Sequence, residues 1–483
     1  MADFSSKNKT EIQKSISLHH RMLLGAVTIV SSVLRVYRID SSFWYDELFS
    51  LLNYFRATPL KVITNISNPN NHPLYSLLAK ASITLFGERE WSARLPAMVT
   101  GIATPPLLYI FAQKRYGVKT ALLSSLLLSF NMWHIWFSQD ARGYSGMIFL
   151  SLCSQIFFIN MVENIGKEKS KYHIVPYLLV SACAGYFHLY GVFTPLAHLL
   201  IAVIIDKFKF APAHRKLYLA PFGALVITAV LYSPAFSEMY RYAVTEGRNV
   251  AGRKLTWDYL WKLPVEWTGW GRTPLLAIPL IFLWSIGVID TLKKKRILFT
   301  ASLLPLALAL LFIASARVFT YYRMQSFYLP WFMLFIAAGI SATAKKLNRL
   351  GLFLFYLISC GALALSAASI YPYYKFGKQP LKDVAIWVDK LSPNIPVYSF
   401  GLTDSEFRYY CKRAVEIPFT QSIENVVPHG GIFVSAYPWS WGKKSTETLL
   451  RNCRMRRWRA AGYEENDVFV FECPFVGEGL KVR

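Results

Sequence analysis

The stretch Phe43-Trp44-Tyr45-Asp46-Glu47-Leu48-Phe49-Ser50 sets two adjacent carboxylates among aromatic and apolar residues, just after the first hydrophobic run. Acidic side chains beside a membrane are costly unless they have a partner or a task. Other ionisable groups recur at the ends of apolar runs. His72 follows Asn71, and Asp140 and Arg142 lie in Ser138-Gln139-Asp140-Ala141-Arg142-Gly143-Tyr144-Ser145. His188 and Tyr190 lie in Gly185-Tyr186-Phe187-His188-Leu189-Tyr190-Gly191. Arg241, Glu246, Arg248, Arg253 and Lys254 fall in one long polar segment, and Arg317, Tyr321, Tyr322 and Arg323 in another. Carboxylates and guanidinium groups gathered at one membrane face suit an anionic, lipid-linked substrate held beside a general base. The matching chemistry is group transfer from a lipid phosphate. A carboxylate takes the proton of an acceptor hydroxyl, while arginines and tyrosines stabilise the departing phosphate. A sugar leaving through an oxocarbenium-like state needs little more.

Each group also has a simpler reading. Asp46 and Glu47 could cap a short helix, since acids favour helix N-termini. Asp140 and Arg142 could pair with each other. His72 precedes Pro73 and could be a turn residue. His188 could be a satisfied bundle histidine, and Tyr321 to Arg323 could be interfacial belt residues.

The elements that must position these groups are membrane helices. The chain has 483 residues, 54% of them hydrophobic, with a net charge of +25. Apolar runs near 20 residues identify a polytopic α-helical membrane protein. The basic residues fall between those runs, where topology places them, so the positive charge does not imply a nucleic-acid partner. The six cysteines form no Cys-x-x-Cys pair, which argues against a zinc site. With Lys7, Lys9, Lys14 and Arg21 the N-terminus is expected to be cytoplasmic, and the first span, Met22 to Val36, to stay as an anchor. Asp46 and Glu47 then emerge on the outer side. Pro73–Phe86 is short for a crossing and suits a helix at the interface. Spans near 92–111, 121–137, 174–190, 192–205, 217–232, 274–289, 298–314, 326–342 and 350–370, with one more between 145 and 167, bring the total to about eleven crossings. That odd number leaves the C-terminus outside.

From Tyr371 the composition changes. Residues 1–375 read as the transmembrane domain and 376–483 as a small α/β domain on the outer side. Leu381–Leu391 and Ser405–Tyr410 read as helices, and Val397–Phe400, Gly431–Ala436 and Asp467–Glu472 as strands. Cys411, Cys453 and Cys473 allow one disulfide or free buried thiols. Arg451, Arg454, Arg456, Arg457 and Arg459 form either a solvated face or a grip for an anionic acceptor or headgroup.

Several motifs occur together in order: the Asp46-Glu47 pair, Asn71-His72-Pro73-Leu74-Tyr75, Phe86-Gly87-Glu88, Trp91-Ser92-Ala93-Arg94-Leu95-Pro96, and Asp140-Ala141-Arg142-Gly143-Tyr144-Ser145. Over roughly residues 20–375 this set resembles the GT-C class of membrane glycosyltransferases, in particular the family 39-like enzymes that include protein O-mannosyltransferases and the aminoarabinose transferase of lipid A. The resemblance implies transfer of a monosaccharide from a polyprenyl-phosphate carrier on the outer face of the membrane. It implies that Asp46 is the catalytic base or orients the acceptor, with Glu47 beside it. By the same resemblance Asp140 and Arg142 stand at an acidic and phosphate-contacting position, and Tyr322 and Arg323 stand near the carrier phosphate. His72 stands before a single proline where relatives often have two. His72, His188 and Arg248 complete the candidate substrate-binding set. A divalent metal is left open, with Asp46 and Asp140 as its ligands if one is used. The implied partners are the lipid-linked sugar, a glycan, lipid or protein acceptor, and membrane lipids; the implied place is the inner (plasma) membrane. Two other readings compete. A ligase or polymerase would use a diphosphate-linked donor and depend less on Asp46. A transporter would need midplane charges and an internal repeat, neither of which the chain displays.

Overall fold

The computed structural model describes residues 2–66, 70–167, 172–207, 209–245, 255–270, 274–316, 320–401, 404–418, 422–461 and 466–475. They form two compact units. One comprises Met1–Tyr37, Ala57–Gly87 and Ser92–Ser369; the other comprises Arg38–Arg56, Glu88–Trp91 and Ile370–Arg483. The second unit is therefore not one stretch beginning at 376. It also takes in the Asp46-Glu47 segment and the Glu88–Trp91 turn.

The first unit is a helical bundle. Among the described residues, eight helices are long and apolar enough to cross a membrane, and Pro73–Phe86, Val118–Ser129 and Ile174–Phe187 are shorter apolar helices. The chain is thus a multi-span membrane protein, with fewer full-length spans than the expected eleven. The three that are not among the eight are Met22–Val36, which ends the helix Ala2–Val36, and two spans that local features interrupt. The span expected at 121–137 divides into Val118–Ser129 and Met132–Ser138. Asn131 makes the break, since its Oδ1 accepts from the His134 amide at 2.9 Å and its Nδ2 donates to the Trp267 carbonyl at 2.8 Å. The span expected at 174–190 stops at Phe187, because His188 is extended, with φ −161° and ψ 131°. Pro73–Phe86 is a 14-residue helix with proline at its first position, and it ends at Gly87, whose φ of 82° suits glycine.

Helices Pro274–Lys294 and Leu329–Lys346 pack against each other at Gly287 and Gly339. A methyl group on Gly287 would overlap the Phe335 carbonyl, and one on Gly339 would overlap the Leu283 carbonyl. The lost side chains allow the two backbones to meet directly, the usual device where lipid supplies no hydrophobic drive between helices.

The second unit carries a five-stranded mixed sheet. Its strands are β1 (Val397–Phe400), β2 (Val415–Ile417), β3 (Gly431–Ala436), β4 (Arg454–Trp458) and β5 (Val468–Cys473), in the order β2-β1-β3-β5-β4. Strand β1 runs parallel to β2 and β3, and β5 is antiparallel to β3 and β4. Phe400, Phe433, Trp441, Leu449 and Phe471 fill the core over one face. Cys453 and Cys473 form a disulfide joining the start of β4 to the end of β5, and Cys411 is a buried free thiol. The arginine cluster lies largely on β4, an edge strand of charged residues that discourages pairing with another chain. Arg456 and Arg457 pair with Glu472 and Asp467.

Polar contacts fasten the two distant segments into this unit. Arg56 meets Glu88 through two hydrogen bonds of 2.6 and 2.9 Å. Glu90 accepts from Lys382 Nζ at 2.8 Å and from the Tyr410 hydroxyl at 3.0 Å. The same Tyr410 oxygen accepts from the Phe43 amide at 2.8 Å, and Gln379 Oε1 accepts from the Tyr45 amide at 2.8 Å.

Candidate active site

In the second unit, Asp46 and Glu47 occupy the first turn of the short helix Tyr45–Ser50. Both are buried. Glu47 Oε2 accepts from the Trp44 amide at 3.2 Å, and its Oε1 lies 3.5 Å from Lys378 Nζ. The capping role weighed for the pair thus falls to Glu47, which also has a buried counter-charge. Ser50 donates to the Asp46 backbone carbonyl at 2.8 Å.

In the bundle, the residues His72, Arg142, His188 and Arg323 gather around Tyr144. The His72 and His188 rings are 4.9 Å apart, and each sits against Tyr144, at 5.4 and 5.1 Å between ring centroids. The guanidinium carbons of Arg142 and Arg323 lie 5.7 and 5.9 Å from the Tyr144 ring centroid. Arg323 also lies 4.2 Å over Tyr321, a favourable cation–π distance. Tyr322 stacks on Tyr259 at 4.7 Å. Tyr259 donates to Gln325 at 2.7 Å.

Local sequence explains the convergence. His72 precedes Pro73 and starts its helix through its carbonyl, which accepts from the Ser76 amide at 2.8 Å. Its ring is therefore free to reach Phe187, whose carbonyl lies 3.2 Å from Nδ1. Gly143 admits this contact, because a methyl group there would overlap that same carbonyl. The loop carrying Asp140 and Arg142 follows helix Met132–Ser138, which Arg35 anchors. Arg35 lies 2.6 Å from His134 Nδ1 and donates to Ser138 Oγ at 3.2 Å. Gln139 returns the contact by donating to the Arg35 and Tyr37 carbonyls at 2.9 and 2.8 Å. Asp140 is buried in that loop, and its backbone carbonyl accepts from the Arg142 amide at 2.6 Å.

The hydrogen bonds also fix the histidine tautomers. A carbonyl can only accept, so His72 carries its proton on Nδ1 and turns a lone pair outward on Nε2. An amide can only donate, so His188 accepts from Tyr190 N on Nδ1 at 3.2 Å and carries its proton on Nε2. Burial, reinforced by the Arg142 charge, holds His72 well below the usual histidine range. Burial, with the charges of Arg142 and Arg323, pushes His188 down to about 3. Both rings are thus neutral at pH 7, one a hydrogen-bond acceptor and the other a donor.

A pH effect on stability follows. Below about 6.5 the unfolded chain protonates both histidines and the folded chain does not. Stability is therefore flat above about pH 6.5 and falls as pH drops from there toward the folded-state values. The melting temperature in detergent, measured from pH 7.5 to 5, should decline in the wild type. The His72→Gln/His188→Gln variant should show a shallower decline; an unchanged slope would mean that other groups cause it.

Arg248 lies outside the described residues, as do Glu246, Arg253, Lys254 and Arg317. Tyr144, Arg35 and Lys378 were not among the candidates read from the sequence. Tyr144 stands inside the Asp140–Ser145 motif. Arg35 is an arginine within the first apolar run, and Lys378 sits just before the helix Leu381–Asp389; these positions are the available signals. Among the described residues no group of three or more His, Cys, Asp or Glu side chains is placed to hold a metal ion.

Residues 67–233 match the dolichyl-phosphate-mannose-protein mannosyltransferase family. No curated protein matches the chain significantly by sequence. The fold is similar to that of ArnT from Cupriavidus metallidurans bound to undecaprenyl phosphate, with 12% identity, a TM-score of 0.58, and coverage of 93% of this chain and 97% of that one. The apo state of the same protein matches with 13% identity and a TM-score of 0.58, covering 95% and 98% of the two chains. The archaeal oligosaccharyltransferase AglB from Archaeoglobus fulgidus, in complex with an inhibitory peptide and a dolichol-phosphate, shares 11% identity with a TM-score of 0.54, over 96% of this chain and 75% of that one. Residues 67–233 thus carry the family match, and the multi-span helical architecture with its small sheet unit is similar in fold to the ArnT and AglB structures.

Proposed function

We propose that this enzyme transfers a monosaccharide from a polyprenyl-phosphate carrier to a hydroxyl of an envelope glycan, lipopolysaccharide or protein on the outer face of the inner membrane. The observation that carries the reading is the pair of guanidinium groups, Arg142 and Arg323, about one tyrosine ring beside two neutral histidines. Two cations with a neutral donor suit an anionic phosphate ester far better than an uncharged solute. The carrier phosphates in the ArnT and AglB structures lend support. The Cys453–Cys473 disulfide suits an oxidising outer compartment for the sheet unit, and the basic loops suit a cytoplasmic N-terminus.

In the reaction, the acceptor oxygen bonds to the anomeric carbon of the sugar as the bond from that carbon to the phosphate oxygen breaks. The bonding electron pair leaves with the carrier phosphate. The hydroxyl proton passes to Asp46, the general base. Arg142 and Arg323 stabilise the charge developing on the phosphate, His188 Nε2–H adds a donor, and His72 Nε2 accepts a hydrogen bond. Asp140 supports the Arg142 loop. Tyr322 and Arg248 belong to the substrate-binding set.

The test is release of free polyprenyl phosphate by purified protein offered a panel of polyprenyl-phosphate sugars with envelope extract as acceptor. Arg142→Gln and Arg323→Gln should each weaken donor binding by roughly 10–100-fold, the worth of a charge-assisted hydrogen bond. Folded variants with wild-type donor affinity would remove both residues from the phosphate site. Release from diphosphate-linked donors alone would turn the reading to a ligase-type enzyme.

A further inference from the structure

The bundle contains a second concentration of positive charge, where Glu90–Tyr116, Pro274–Lys294 and Leu329–Lys346 reach their C-terminal ends. Two cavities adjoin there and share Arg115 as a wall. One, of about 210 Å³, is polar: Lys294, Lys295 and Lys345 line it with Asp290, Thr120 and Ser341. The other, of about 300 Å³, has an apolar wall of Leu107, Ile110, Phe111 and Ile156 beneath Lys114.

Lysines at helix C-termini have a simple role, since they offset the partial negative charge of the exposed carbonyls. That role does not account for the whole arrangement. Lys294 is already paired with Asp290 at 2.5 Å, and Arg115 with Glu163 at 2.9 Å. Lys295 lies 5.6 Å over the Tyr116 ring, and neither it nor Lys345 has a carboxylate partner among the described residues. Hydroxyl groups add donors at the same place, with Thr120 Oγ1 2.7 Å from Ser341 Oγ and the Tyr116 hydroxyl 3.0 Å from Thr291 Oγ1. Two uncompensated ammonium groups beside hydroxyls form a receptor for an anion. The adjoining cavity, with its apolar wall beside the same arginine, offers a place for a hydrocarbon tail on that anion.

We propose that these two cavities form a binding site for an anionic phospholipid. The headgroup phosphate lies among Lys295, Lys345 and the hydroxyls, and one acyl chain runs along the Leu107–Phe111 wall. Basic pockets between membrane helices are the kind of surface that holds anionic headgroups. A free phosphate ion would use the first cavity and leave the second without purpose, so the pairing of the two favours the lipid. The site is independent of the sugar-transfer reading.

The experiment uses the full chain in nanodiscs and in detergent. Lipid retention is read by native mass spectrometry, and affinity by titration with a fluorescent phosphatidylglycerol. The wild type should retain phosphatidylglycerol over phosphatidylcholine. Lys295→Gln/Lys345→Gln should weaken phosphatidylglycerol binding by roughly 10–30-fold with phosphatidylcholine unaffected, and Ile110→Trp, which fills the apolar cavity, should weaken it with both lysines intact. The melting temperature in phosphatidylcholine nanodiscs checks that the variants fold. Equal retention of both lipids by the wild type would overturn the proposal, as would wild-type affinity in the double variant. Inorganic phosphate or glycerol phosphate binding as tightly as the lipid would show a free-phosphate site and overturn the lipid assignment.

Discussion

Asp46→Asn is expected to slow sugar transfer by ~10²–10⁴-fold, the usual contribution of a positioned general base, while donor binding changes little. The substitution is isosteric and keeps an oxygen acceptor, so it removes basicity and leaves shape. The neighbouring structure predicts that the protein tolerates it. The helix Tyr45–Ser50 is capped by Glu47, and Ser50 bonds the backbone carbonyl of residue 46, which the substitution keeps. Single-turnover release of polyprenyl phosphate separates the chemical step from binding. A drop in the chemical rate at unchanged donor affinity is the signature of a base. A weaker donor affinity at an unchanged chemical rate would make Asp46 a binding residue. Undiminished transfer by folded protein would remove it from the reaction.

The helical architecture was legible because apolar runs and basic loops are set by the solvent on either side of a membrane, and these act on sequence composition directly. The helix boundaries were less so. Asn131 ends a helix by bonding to its own turn and to the Trp267 carbonyl, and the second of those partners is 136 residues away. Composition does not register such a contact. In the sheet unit β1 and β3 were found at their observed limits, because both are short runs rich in apolar and aromatic residues. The strands β2 and β4 were missed: Val415–Ile417 is only three residues, and β4 reads Arg-Met-Arg-Arg-Trp, a charged edge that hides the strand pattern.

Of the candidate site, His72, Arg142, His188 and Arg323 come together about a ring that the sequence did not single out. Position in the chain placed them at the ends of apolar runs, and no more. Their grouping depends on one long-range contact, the His72 ring on the Phe187 carbonyl, and on the glycine at 143 that leaves room for it. The Arg38–Arg56 segment was equally opaque. It belongs with the sheet unit through bonds such as Tyr410 to Phe43, across 367 residues.

The Asp-Glu pair divides in the structure, and the division predicts a second large effect. Glu47 is fully buried, bonded to the Trp44 amide and set 3.5 Å from Lys378, which is buried to within 1%. Removing one member of a buried ion pair leaves a charge without its partner in a poorly solvated site, at a cost of ~3–5 kcal/mol. Glu47→Gln keeps an oxygen for the Trp44 amide but takes the carboxylate charge from beside the Lys378 ammonium; Lys378→Met takes the ammonium charge from beside the Glu47 carboxylate. Each should lower the stability of the sheet unit by that amount. The Glu47→Gln/Lys378→Met variant should recover much of the loss, because both charges are gone and the amide oxygen still caps the helix. The stability of the four proteins, read by thermal unfolding, closes a double-mutant cycle whose coupling term is the pair itself. Transfer rates per folded molecule then separate the two acids. If Glu47 is structural, the double variant keeps a rate near that of the wild type, in contrast to Asp46→Asn. A double variant that is as stable as the wild type yet inactive would instead place Glu47 in the chemistry beside Asp46.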